Sequence, residues 1–184
     1  MFLESDKQFL IRIARTVIEA AVSQSPMPAF SRCSPSLMKL SGAFVTLRIG
    51  NDLRGCIGYI DAVRPLIDTV KEVAVKSALE DPRFNPLAVE ELPSIEIEIS
   101  VISPMQSIGS IDEIEIGKHG LLIELGNYRG LLLPQVAVEY GWDRETFLSQ
   151  TARKAGLPSG GWKNPAAKIW TFTAEIFSEH SLST

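Results

Sequence analysis

Ser94-Ile95-Glu96-Ile97-Glu98-Ile99-Ser100-Val101-Ile102 alternates apolar and polar residues along its length. In an extended chain Ile95, Ile97, Ile99 and Val101 point one way and Glu96, Glu98 and Ser100 the other. A strand with one apolar and one polar face suits an antiparallel sheet packed on one side better than a parallel sheet buried on both. Where such a polar face lines a cleft, Glu96 or Glu98 is a candidate acid or base.

Upstream, residues 43–49 form a strand around Phe44-Val45-Thr46-Leu47, rich in β-branched and aromatic residues. Gly50-Asn51-Asp52 turns the chain, and Leu53-Arg54 begins the return. The N-terminal helix carries Phe9, Leu10, Ile13, Ala14, Val17, Ile18 and Ala21 at helical spacing, with Ser5 and Gln8 as the expected capping box. Residues 23–35 hold three prolines and read as a surface connection or flap. A second helix is expected over 62–79, with Pro65 in its first turn and Asp81-Pro82-Arg83-Phe84 ending it. Downstream come two short strands joined at Gly126-Asn127, a helix capped by Asp143 and stopped at Gly156, and one last strand over 169–177. The order predicts an α+β fold: a mixed, largely antiparallel sheet with flanking helices.

The 184 residues suit one domain or two small ones, and 45% hydrophobic with 22% charged residues is ordinary globular composition. A net charge of −4 disfavours a nucleic-acid surface, since phosphate binding needs concentrated Lys and Arg. No apolar run is long enough for a membrane span, and the first residues lack the pattern of a signal peptide. Cys33 and Cys56 alone make neither a disulfide framework nor a close metal pair. A cytoplasmic protein without cofactor is expected, a monomer or weak dimer.

The chemistry concentrates at Arg54-Gly55-Cys56-Ile57-Gly58. Cys56 is a candidate nucleophile whose thiolate Arg54 would favour, or else a small buried hydrophobe between geometric glycines. His119, between Lys118 and Gly120, is the better histidine for a base, with Glu98 as a further catalytic candidate. Arg54, Arg83 and Lys118 suit a phosphate or carboxylate, with Gly55 and Gly58 admitting close backbone approach. The plainer reading of Arg83 is an ion pair or cap with Asp81. Cys56, His119 and Glu96, Glu98 or Glu124 are donor types that suit zinc or iron, but none stand at motif spacing, so no metal site is expected.

These residues belong to a longer series of landmarks. Gly42-Ala43-Phe44-Val45-Thr46-Leu47, the Arg54–Gly58 segment, Asp81-Pro82-Arg83-Phe84, Gly117-Lys118-His119-Gly120-Leu121, Gly130-Leu131-Leu132-Leu133-Pro134-Gln135-Val136-Ala137, Phe147-Leu148 and Lys154-Ala155-Gly156-Leu157-Pro158 follow in order. In this the sequence closely resembles the AMMECR1 domain family across nearly its whole length. The resemblance implies a single α+β domain, with a larger lobe of residues 1–59 and 93–184 and a smaller inserted lobe of 60–92. It also implies a cleft between the lobes near the signature segment. It further implies a three-protein system with a Memo-like protein and a radical S-adenosylmethionine enzyme, a setting for modifying a nucleotide, RNA or peptide. The expected function is that of a ligand- or partner-binding adaptor in such a pathway, taking a small molecule, nucleotide or peptide. The alternative is a small enzyme with Cys56 as nucleophile, Arg54 holding an anionic group and His119 as base.

Overall fold

Helix α1 (Glu4–Val22) turns its apolar stripe, Leu10, Ile13, Ala14, Val17 and Ile18, fully inward. These are coordinates of a computed structural model that describes residues 2–30 and 34–182. Cys33 and part of the 23–35 connection lie outside the described residues. The helix starts earlier than its capping box implied. Leu3 is the N-cap, its carbonyl accepts from the Asp6 and Lys7 N–H groups, and Ser5 is already helical. Glu4 and Asp6 set negative charge against the positive helix end instead.

The C-terminus of α1 closes as a Schellman turn, Ser25 N–H to Ala20 C=O and Gln24 N–H to Ala21 C=O. That turn places Gln24 in the left-handed region at φ 53°. Gln24→Gly should therefore raise the unfolding free energy by about 0.5–1 kcal/mol, measurable by urea denaturation. An unchanged or lowered midpoint would show that the position is unstrained.

Strands β1 (Ala43–Ile49), β2 (Asp52–Tyr59) and β3 (Ile95–Ile102) form an antiparallel set with β1 in the middle. With β8 (Ala174–Ser178) they make a sheet of order β2-β1-β3-β8. Helix α2 (Leu66–Leu79) packs with α1 against the side carrying Val45, Leu47, Ile97 and Ile99. It is shorter than the expected 62–79 because Pro65 is its N-cap, and Leu66 N–H donates to the Lys39 carbonyl outside the helix.

A second sheet, of order β4-β7-β5-β6, contains β4 (Gln106–Ser107), β5 (Gly120–Leu125), β6 (Tyr128–Leu132) and β7 (Lys168–Phe172). Helices α3 (Pro134–Glu139) and α4 (Arg144–Lys154) supply Ala137, Phe147, Leu148 and Ala152 to its own core. Asp143 caps α4 as expected, its carboxylate accepting from Thr146 N–H.

Two features differ from the sequence reading. The single strand expected over 169–177 is two, β7 and β8, in different sheets. Thr173 separates them, exchanging backbone and hydroxyl hydrogen bonds with Ser103. The chain also divides elsewhere than expected, into one compact unit of residues 1–102 with 175–184 and another of 103–174. Within the first unit, α2 packs on β1 and β2 and completes the core. Among the described residues, no helix is long and apolar enough to cross a membrane.

Candidate functional site

The glycines of the signature segment have a mechanical explanation. A Cβ on Gly55 would lie 2.1 Å from the Ser77 carbonyl oxygen of α2, and one on Gly58 2.2 Å from the Phe44 ring. Gly55 thus lets the helix backbone touch the strand. At this contact the Ser77 hydroxyl donates to the Val45 carbonyl (2.8 Å) and accepts from Ile57 N–H (2.9 Å), so a helix side chain bridges partners in the β1–β2 ladder.

Ile57 faces the helices, so Cys56 faces the opposite side of the sheet. Register places Cys56, Thr46 and Glu98 in one row across β2, β1 and β3. Phe44 and Ser100 follow in the next row. This face is polar yet shielded, Thr46 being 6% and Ser100 1% exposed. The Ser100 hydroxyl has no hydrogen-bond partner among the described residues.

Thr46 Oγ1 donates to Cys56 Sγ at 3.3 Å. Burial pushes the Cys56 thiol above its usual value; the Thr46 hydrogen bond and Arg83 pull it back, while Asp81 and Glu98 add to the rise. The activated thiolate expected from Arg54 is not what this geometry makes. Arg54 is turned away to Glu91, which it grips with Nε and Nη2 at 2.8 Å each, and Nη1 donates to the Asn85 carbonyl at 3.0 Å. With its fork so occupied, Arg54 organises the 81–91 segment rather than presenting a free guanidinium.

Asp81 and Arg83 follow α2 and meet β2 from outside. The Asp81 carboxylate accepts from Cys56 N–H (2.8 Å) and from Arg83 Nε and Nη2 (2.9 and 2.6 Å), while Arg83 Nη2 reaches the Cys56 carbonyl at 3.3 Å. The ion pair with Asp81, the plainer reading of Arg83, is thus what the structure contains. The Arg83 hydrogen bonds hold the Asp81 carboxyl far below the usual carboxylate range, and backbone N–H groups of Cys56 and Arg83 assist against the opposing effect of burial. Glu91 is lowered in the same direction, chiefly by Arg54.

Both carboxylates have depressed values in the fold, so their stabilisation is complete above the usual carboxylate range and is lost as pH falls through the lowered values. Stability should accordingly drop below about pH 4. Asp81→Asn should flatten that acid limb while lowering stability at neutral pH, as read from urea midpoints across pH. An acid limb as steep as the parent's would remove Asp81 from this role.

His119 and Lys118 belong to the second unit, in a turn organised by Glu115. His119 Nδ1 accepts from Glu115 N–H at 3.2 Å, and Lys118 Nζ pairs with the Glu115 carboxylate at 2.8 Å. The structure therefore groups Arg54, Gly55, Cys56, Gly58, Arg83 and Glu98 within the first unit. Glu96 lies opposite Arg48, 3.8 Å from His180 Nε2 and two residues along β3 from the Cys56 row. Sequence reading missed Thr46, Ser77 and Glu91. Thr46 alone carried a signal, as the polar residue between Val45 and Leu47 in the otherwise apolar run 43–47.

On the helical side, Val17, Met27, Phe30 and Val75 line a groove of about 480 Å³. Its charges pair among themselves, Lys71 with Asp68 and Lys76 with Glu72 and Glu80.

A family model described as AMMECR1 matches residues 11–177. The chain is 43% identical over 183 residues to protein TK0174 of Thermococcus kodakarensis, covering 94% of this chain and 89% of that one. Protein MJ0810 of Methanocaldococcus jannaschii is likewise 43% identical, over 180 residues, 93% of this chain and 89% of the relative. The crystal structure of PH0010 from Pyrococcus horikoshii has the same fold, with a TM-score of 0.88 at 41% identity over 93% and 90% of the two chains. The signature segment, the α+β architecture and these relatives agree: this chain belongs to the AMMECR1 family.

Proposed function

We propose that this protein is a binding adaptor, which receives a ligand or partner segment on the shielded polar face around Cys56, Thr46 and Glu98. One observation carries the reading: the Arg54 guanidinium that would favour a thiolate is turned away to Glu91, while the Cys56 sulfur accepts a hydrogen bond from Thr46 in a largely buried setting that raises the thiol. A nucleophilic cysteine needs a neighbouring cation or base that favours the thiolate, and Arg54 is committed elsewhere. Arg83, half exposed beside this row, offers an anionic group of the ligand its remaining donors. The Memo-like and radical S-adenosylmethionine proteins implied by the resemblance are the first partners to test.

Alkylation of Cys56 against pH, in a Cys33→Ser background, tests the absence of covalent catalysis. The half-point is expected above the ordinary thiol value of about 8.5. A half-point below that value would restore the nucleophile. For the adaptor role, co-purification with either partner should weaken in Thr46→Val and Arg83→Ala. Retention in both would move the binding surface elsewhere.

A further inference from the structure

β2 stands at the edge of its sheet. Exposed edges invite pairing with another chain, and folded proteins commonly cover them. Here the cover is made of side chains. Asp81 takes the N–H of Cys56 and Arg83 takes its C=O, the two groups that a neighbouring antiparallel strand engages at a hydrogen-bonded pair. The segment beyond is held by a second latch, Arg54 on Glu91 and the Asn85 carbonyl. Phe84 lies between the latches, 5.5 Å from the Arg83 guanidinium and 5.9 Å from that of Arg54.

We propose that residues 81–91 act as a surrogate strand, latched by Arg83 and Arg54, which keeps the β2 edge from pairing with the β2 edge of a second copy of this chain. The geometry of the released state is specific. Twofold antiparallel pairing centred on Cys56 sets the two Cys56 residues opposite each other as a hydrogen-bonded pair, with Cα atoms about 5.5 Å apart. That separation lies within disulfide range.

The test uses the full chain with Cys33→Ser, leaving Cys56 as the single thiol. Diamide removes two electrons and two protons from a pair of thiols, forming the disulfide and the corresponding hydrazine. Cross-linking is followed by non-reducing electrophoresis and normalised to the iodoacetamide rate, which corrects for simple exposure of the thiol. Reduced samples are sized in parallel.

Arg83→Ala should cross-link about tenfold faster than the parent, the effect of one or two net hydrogen bonds made available to a partner. Arg54→Ala/Arg83→Ala should exceed the product of the single effects, because either latch alone retains part of the cover. An Arg83→Ala protein with parental circular dichroism and parental normalised cross-linking overturns the proposal. So does a reduced dimer that fails to cross-link through Cys56, since its interface is then a different one. If the double variant does not fold, Arg83→Ala decides the matter alone, its side chain being 52% exposed.

Discussion

Gly55→Ala should lower the unfolding free energy by about 3–4 kcal/mol, more than most single methyl additions, because the new atom has no soft neighbour to displace. The obstruction is backbone: the Ser77 carbonyl oxygen at 2.1 Å and its carbon at 3.1 Å. Relief requires moving α2 from the sheet, which disturbs Ser77 between Val45 and Ile57 and the Asp81 contact with Cys56. Gly160→Ala is the control, since a Cβ there meets nothing within 4 Å; its effect should stay within about 0.5 kcal/mol. Chemical denaturation of both variants checks the pair. Equal effects would mean that the helix–strand contact is compliant and that Gly55 serves another purpose.

Arg54→Ala should cost about 2–3 kcal/mol, removing a two-point grip on Glu91 and a bond to the Asn85 carbonyl while leaving those acceptors to find water. Partial exposure, 16% for Arg54 and 31% for Glu91, keeps the figure below that of a fully buried pair. Arg54→Lys should rescue little, because one ammonium cannot reproduce the planar fork. Amide exchange should rise across 84–91 while the α1 core stays protected. Unchanged stability with lost ligand or partner binding would instead return Arg54 to direct contact.

Gly55 and Arg54 mark how far the fold and the site are legible in the sequence. The alternation from Ile95 to Val101 revealed the antiparallel sheet because burial on one side leaves a period of two in the residues themselves. Glycine-enforced geometry around Cys56 was legible in part: two glycines bracketing an apolar pair call for unusual dihedrals or a close approach, and the structure contains the second. What the approach was to could not be read. Ser77 is an unremarkable small residue of an amphipathic helix until register sets it over Gly55. Arg54 reads as an anion contact because its planar fork suits a phosphate or carboxylate, and Glu91 lies 37 residues away with no local pattern tying the two. The strand over 169–177 failed differently. Its alternation runs unbroken through Thr173, so the change of sheet has no periodic signature.

The Ser77 hydroxyl also bears on the order in which the first unit is built. Ordinary hairpins zip locally within microseconds, before any distant segment arrives. This one has a bridge supplied from 32 residues beyond Val45, so the β1–β2 ladder is not complete until α2 has docked. Helix and hairpin should therefore condense together in the rate-limiting step, and Ser77→Ala should slow refolding as well as hasten unfolding.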